Sequence, residues 1–120
     1  MKNLLQHYIN GKWVNSNGGN TMDVINPSTE NKIATITLGS SKDVDVAVSA
    51  ARAAFKSWSE TNLNERISLL EKLLEIYKSR SDEMAKFISD EMGAPIDLAK
   101  SAQVGAGAGH LKNTIRSAKK

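Results

Sequence analysis

Residues 32–58 read KIATITLGSSKDVDVAVSAARAAFKSW, and within this stretch a pattern suited to a strand gives way to one suited to a helix. In its first part Ile33, Thr35 and Thr37 alternate with Ala34, Ile36 and Leu38. Both faces of the predicted strand therefore carry apolar surface that something must cover. Ser40 and Ser41 then offer hydroxyl N-caps, and Asp43 stands three residues after Ser40 in the position of a capping box. Val44, Ala47, Val48, Ala51, Phe55 and Trp58 follow at spacings of three and four, the signature of an amphipathic helix.

Upstream, Met22-Asp23-Val24-Ile25 is a second β-rich run, separated from the first by the turn formers Asn26 to Asn31. The two runs predict a hairpin. Nearer the start, Asn10-Gly11 lies between Tyr8-Ile9 and Trp13-Val14. Asn-Gly is the preferred pair for a type I′ turn because both central residues need positive φ, so residues 7–14 predict another hairpin. Asn15 to Asn20, with Gly18 and Gly19, reads as a polar loop.

Downstream, Asn62 with Glu65 repeats the capping pattern, and Leu63, Ile67, Leu70, Leu73, Leu74 and Tyr77 draw the stripe of a second helix. The stripe changes phase around Ser79 to Asp82, and Met84, Phe87, Ile88 and Met92 continue it to Gly93, a natural residue for the end of a helix. Pro95 suits the first turn of another helix. Beyond Ile96 helix formers are plentiful, but Gly105, Gly107 and Gly109 each cost about 1 kcal/mol relative to alanine in a helix interior. The segment is thus α+β: two amino-terminal β-hairpins over residues 1–39, then three or four α-helices over residues 40–120. Phe55, Trp58, Tyr77 and Phe87 lie on apolar stripes and are expected in the core.

Composition narrows the functional classes. A chain of 120 residues with 40% hydrophobic and 24% charged residues is an ordinary globular sequence of single-domain size. The net charge of +3 comes from a tail with Lys100, Lys112, Arg116, Lys119 and Lys120 and no acid after Asp97, while the preceding body is mildly acidic. No aromatic residues are interleaved with these cations, so nucleic acid is not an expected partner. The absence of cysteine excludes disulfides, thiolate metal sites and cysteine nucleophiles within this chain. The opening MKNLLQHYINGKW is neither a signal peptide nor a membrane span, and a cytoplasmic location without membrane contact is expected.

Few residues suggest chemistry. The run Val104-Gly105-Ala106-Gly107-Ala108-Gly109 resembles a dinucleotide-binding glycine turn only superficially. No buried strand precedes it, position 110 is His, and no acid follows to hold a ribose. Small residues that allow close helix packing are the better reading. His7 and His110 have no ligand partners at metal-binding spacing. Asp82-Glu83 and Asp90-Glu91 are adjacent acids that point apart on a helix, and no serine sits in an activating motif.

Taken in order, these fragments resemble the aldehyde dehydrogenase family. Tyr8-Ile9-Asn10-Gly11-Lys12-Trp13-Val14 is similar to the family's opening hairpin, and Val24-Ile25-Asn26-Pro27-Ser28-Thr29-Glu30 with Ile33-Ala34 to its second. Asp43-Val44-Asp45, Ala50-Ala51-Arg52-Ala53-Ala54-Phe55 with Trp58, Glu65-Arg66, and Asp90-Glu91-Met92-Gly93-Ala94-Pro95 follow in the family's order. Many members have Lys where Ala94 stands, and larger residues where Gly105 to Gly109 lie.

The resemblance implies an α/β, aldehyde dehydrogenase-like fold, of which residues 1–120 form the amino-terminal, outer part of the cofactor-binding domain. It implies oxidation of an aldehyde to a carboxylic acid with NAD or NADP in the complete enzyme. There a cysteine thiolate attacks the carbonyl, amide donors hold the oxyanion, hydride passes to the nicotinamide and water releases the acid. The family's cysteine, glutamate base and cofactor turn lie downstream of the matching region. This chain alone is therefore expected to hold no catalytic or cofactor-binding residues, to bind no cofactor and to be inactive. In some relatives a structural cation is held by main-chain oxygens before the Asn-Pro turn and an acid before the Gly of the third helix end. The matching positions are Val24, Ile25 and Glu91. The expected partner is the remainder of an aldehyde dehydrogenase, or a second copy through exposed apolar faces. The alternative is a non-catalytic interaction module that binds a separately encoded chain.

Overall fold

The computed structural model describes residues 2–120, whose backbone contacts gather into two compact units that divide between Glu60 and Thr61. In the first unit β2 (Gln6–Ile9) and β3 (Lys12–Asn15) form an antiparallel ribbon in which Tyr8 faces Trp13 and Ile9 faces Lys12. Asn10 and Gly11 turn the corner with φ of 53° and 75°, the left-handed pair that a type I′ turn requires. Tyr8 and Trp13 meet edge to face with ring centroids 5.2 Å apart.

The second hairpin joins β4 (Thr21–Ile25) to β5 (Lys32–Thr37), with a register shift between Val24 and Ile25. Its turn is organised by Asn26, whose Oδ1 accepts from the backbone N–H groups of Ser28 and Thr29 at 2.9 and 3.3 Å. Glu30 closes the turn in the left-handed region, with φ of 58°. The sheet has a strand that the sequence pattern did not predict. β1 (Lys2–Leu4) pairs in parallel with β5, giving the order β1-β5-β4. A three-residue strand has no periodicity to read, and its parallel partner lies some thirty residues away with no hairpin turn to announce it. At the end of the sheet Leu38 donates its N–H to the Asn20 carbonyl at 2.7 Å. A Cβ on Gly19 would overlap the Leu38 carbonyl oxygen, so this closure needs glycine there.

Helix α1 (Ser41–Ser59) begins at the predicted capping box: Ser40 Oγ accepts from the Asp43 N–H, and the Asp43 carboxylate accepts from the Ser40 N–H. In the second unit α2 (Leu63–Ser79) is capped by Asn62, whose side chain accepts from the Glu65 N–H. Arg80 breaks the helix and α3 (Ser81–Met92) follows, ending on Gly93 with φ of 74°. From Pro95 the chain runs through a short α4 (Ile96–Leu98), a π-helical turn (Ala99–Gln103) and α5 (Val104–Ala118). The glycines thus do not break the last helix; the chain instead widens by a π turn just before them.

The interior of the second unit is built from small residues. Ala85 of α3, Ala99 of the π turn and Val104 of α5 are buried together, with Tyr77 and Ile88 packed against them. Tyr77 Oη donates to the Val104 carbonyl at 3.1 Å. A Cβ at Gly107 would lie 2.5 Å from that hydroxyl, so close packing accounts for Gly107. It does not account for Gly105 or Gly109, which face open space.

The expected aromatic core is corrected by the structure. Phe55 is 67% exposed, Trp58 48% and Phe87 37%, while Tyr77 alone of the four is half-buried. Helix α1 turns Val44, Val48 and Phe55 outward because nothing in its own unit covers that stripe. Among the described residues the buried apolar side chains are Ile67, Ala85, Ala99, Val104 and Ile115.

The glycines of α5 provide a stability test. Gly105→Ala is expected to raise the stability of the chain by about 1 kcal/mol through helix propensity alone. Gly107→Ala should forfeit that gain, because displacing Tyr77 from the Val104 carbonyl costs about 1 kcal/mol. Urea denaturation of the two variants checks the difference, and equal stabilisation by both would contradict the packing described for Tyr77.

Candidate functional site

The densest polar constellation of the first unit surrounds Asp43, which is only 5% exposed. Its Oδ2 accepts from Ser16 Oγ at 2.6 Å and the Ser40 N–H at 2.8 Å. Its Oδ1 accepts from the Asn17 N–H at 2.8 Å and Asn17 Nδ2 at 3.3 Å. The carboxylate also lies in the first turn of α1, where the helix dipole favours negative charge. These donors hold its pKa well below the ordinary carboxylate range: Ser16 contributes most, then the backbone N–H groups of Ser40 and Asn17, against the opposing effect of burial.

Sequence reading placed Asp43 as a cap and no more. Ser16 and Asn17 are 27 and 26 residues away, in a loop whose composition signals only irregular backbone. The arrangement is a structural anchor: an acceptor held ionised at neutral pH and surrounded by donors. His7 Nε2 approaches Asp43 Oδ2 to 3.9 Å, outside hydrogen-bond distance.

Val24 and Ile25 lie at the end of β4, where the register shifts. Because β4 is an edge of the three-stranded sheet, alternate carbonyls along it point away from β5. Glu91 is exposed in the last turn of α3, and its carboxylate has no hydrogen bond or ion pair among the described residues. The first two belong to one unit and Glu91 to the other. No group of three or more histidine and acidic side chains that could hold a metal occurs among the described residues.

Other residues singled out in the sequence have separate partners. Asp82 pairs with Lys100 at 3.0 Å, Glu83 with Arg80 at 2.7 Å and Asp90 with Lys86 at 2.9 Å, so the adjacent acids diverge as helix geometry dictates. His110 is exposed on α5. The glycine run lies inside a helix rather than between a strand and a helix, so its backbone N–H groups are not free to cradle a pyrophosphate. A groove of about 180 Å³ between α2 and α3 is lined by Leu73, Ile76, Met84 and Phe87, with the Arg80–Glu83 ion pair at its rim. Its lining is apolar and supplies no acid–base machinery.

The Asp43 anchor has a defined pH dependence. A carboxylate whose folded pKa is depressed stabilises the fold above its unfolded pKa of about 3.9 and loses that contribution as pH falls toward the folded value. The wild-type loop–helix junction should therefore loosen progressively below about pH 4, as seen in the amide resonances of Asn17 and Ser40. Asp43→Asn should weaken the junction at neutral pH and abolish this acid response; a variant with an unchanged acid response would exclude Asp43 as its source.

The fold and these residues can now be set beside known proteins. The sequence profile of the aldehyde dehydrogenase family matches residues 13–120. A 3-succinoylsemialdehyde-pyridine dehydrogenase from Pseudomonas sp is 45% identical over 112 residues, which cover 92% of this chain and 24% of that protein. The crystal structure of an aldehyde dehydrogenase from Bartonella henselae superposes with a TM-score of 0.97 at 48% identity, covering 99% of this chain and 25% of the other. An aldehyde dehydrogenase from Mycobacterium tuberculosis complexed with NAD+ matches with a TM-score of 0.91 at 25% identity, over 98% of this chain and 25% of its own. The chain spans about a quarter of the length of these relatives. No helix among the described residues is long and apolar enough to cross a membrane. With a profile match over most of its residues and this agreement in backbone, the chain belongs to the aldehyde dehydrogenase family, of which it represents an amino-terminal segment.

Proposed function

We propose that this segment serves an NAD(P)-dependent aldehyde dehydrogenase, which in its complete form oxidises an aldehyde to a carboxylic acid, and that the 120 residues alone are inactive. The carrying observation is the conjunction of family membership with a span of about a quarter of the relatives' length and a sequence without cysteine. Family chemistry needs a thiolate to attack the aldehyde, and no other residue here replaces it, since the carboxylates are capped, paired or exposed. Nor do the residues present fit a nicotinamide dinucleotide: the glycine run is helical, and no strand leads into it.

The segment's contribution is shape. Its partner is the remainder of the enzyme, for which the exposed stripe of α1 and the apolar groove of the second unit offer cover-seeking surface. The same faces would support self-association if left uncovered. A free-standing interaction module is not favoured, because the likeness extends along almost the whole chain and to enzymes throughout. Spectrophotometric assay of the purified chain should show no aldehyde-dependent reduction of NAD or NADP, and calorimetry no saturable cofactor binding. Turnover by the isolated chain would overturn this reading.

The main-chain oxygens of Val24 and Ile25 and the carboxylate of Glu91 further serve, in this proposal, as ligands of a structural hard cation in the complete enzyme, with other ligands supplied by the rest of it. The carboxylate of Glu91, unpaired among the described residues, supports the assignment. In the complete enzyme, replacing sodium or potassium with a bulky organic cation should lower the melting temperature, and Glu91→Gln should remove most of that difference. An unaltered cation response in Glu91→Gln would exclude Glu91 as a ligand.

A further inference from the structure

The Asp43 anchor leaves one neighbouring group unexplained. His7, in the middle of β2, keeps its side chain about one quarter exposed, yet its Nε2 is sheltered from solvent and has no hydrogen-bond partner. That nitrogen faces Asp43 Oδ2 at 3.9 Å. A sheltered ring nitrogen without a partner is costly, and here it stands beside an ionised carboxylate.

We infer that His7 is a proton-operated latch: its imidazolium form donates from Nε2 to Asp43 Oδ2 and ties the β2–β3 ribbon to the first turn of α1. The geometry needs only a contraction of about 1 Å to reach the length of a charge-assisted hydrogen bond. The Ser16 and Asn17 bonds to Asp43 hold the loop after the ribbon, whereas His7 would hold β2 itself.

Among the described residues no other charged group is paired with His7. Across the ribbon β3 places Val14 opposite it, and the one charged residue of β3, Lys12, lies opposite Ile9 beside the turn. The one charged residue of β5, Lys32, is engaged with Asp23 at 2.6 Å. The loop of residues 16–20 is uncharged. On α1 the neighbours of Asp43 in sequence, Lys42 and Asp45, are exposed. The donors around Asp43 keep its carboxylate ionised, so the variable charge in the pair is that of the histidine. The attraction exists only while the imidazole carries its second proton.

The latch governs how firmly the ribbon bearing the exposed Tyr8–Trp13 pair is held to its unit, and it does not rest on the enzymatic reading above. Hydrogen exchange on the full chain tests it. After correction for intrinsic rates, the amides of β2 and β3 in the wild type should be protected about two- to fivefold more at pH 5.5 than at pH 8, the range expected of a partly exposed ion pair. His7→Gln should remove this difference while leaving the exchange of Ile67, in the other unit, unchanged. Asp43→Asn also dismantles the capping box, so His7→Gln is the decisive variant. Equal corrected protection of the wild-type ribbon at both pH values would overturn the latch without any variant, as would a pH response that survives in His7→Gln.

Discussion

A carboxylate removed from solvent must be surrounded by donors, and the first unit is arranged around meeting that demand for Asp43. Hydroxyl, amide and main-chain donors from Ser16, Asn17 and Ser40 converge on it, so one charge caps α1 and fixes the loop that leaves the β2–β3 ribbon. Charge-assisted bonds are stronger than neutral ones, and the partial positive charge of the helix start adds to them. Without this centre the loop with its adjoining glycines would have little to order it, because the buried apolar residues among those described all lie beyond residue 60. Polar convergence substitutes for an apolar core in this half of the chain.

The second unit follows a different rule. Its interior is made of alanines and a valine, which let α3, the π turn and α5 approach closely, and Tyr77 seals the contact by reaching over Gly107 to the Val104 carbonyl. The larger apolar residues, Leu73, Ile76, Met84 and Phe87 among them, line an open groove instead of filling a core. In a stable soluble chain such surface normally marks a contact yet to be made. That the chain matches about a quarter of each relative's length is consistent with this distribution of apolar area. The described residues supply packing surfaces and turns.

Local signals in the sequence proved sufficient wherever the physics is local. Asn10-Gly11, the Ser40–Asp43 capping box, the Asn62 cap and the left-handed Gly93 depend on dihedral preferences and hydrogen bonds within a few residues, and all were readable in advance. The order of two hairpins and a series of helices followed from them, as did the family resemblance. Strand β1 escaped because its partner is distant and its length too short for any period. The burial of Phe55, Trp58 and Phe87 was misjudged because periodicity identifies a face and cannot say whether anything lies against it.

The amino-acid sequence by itself determined the two hairpins, the main helices with their caps and turns, and the family, and through the absence of cysteine it determined that a thiolate reaction cannot occur within these residues. Tertiary structure alone decided that Ser16, Asn17 and His7 gather at Asp43, that one glycine of α5 is needed by Tyr77 while two are not, and that the aromatic stripes stand open. The physical reason is separation along the chain. Torsional and capping preferences act over a handful of bonds, whereas desolvation, long-range hydrogen bonding and close packing depend on which distant segments the folded backbone brings together.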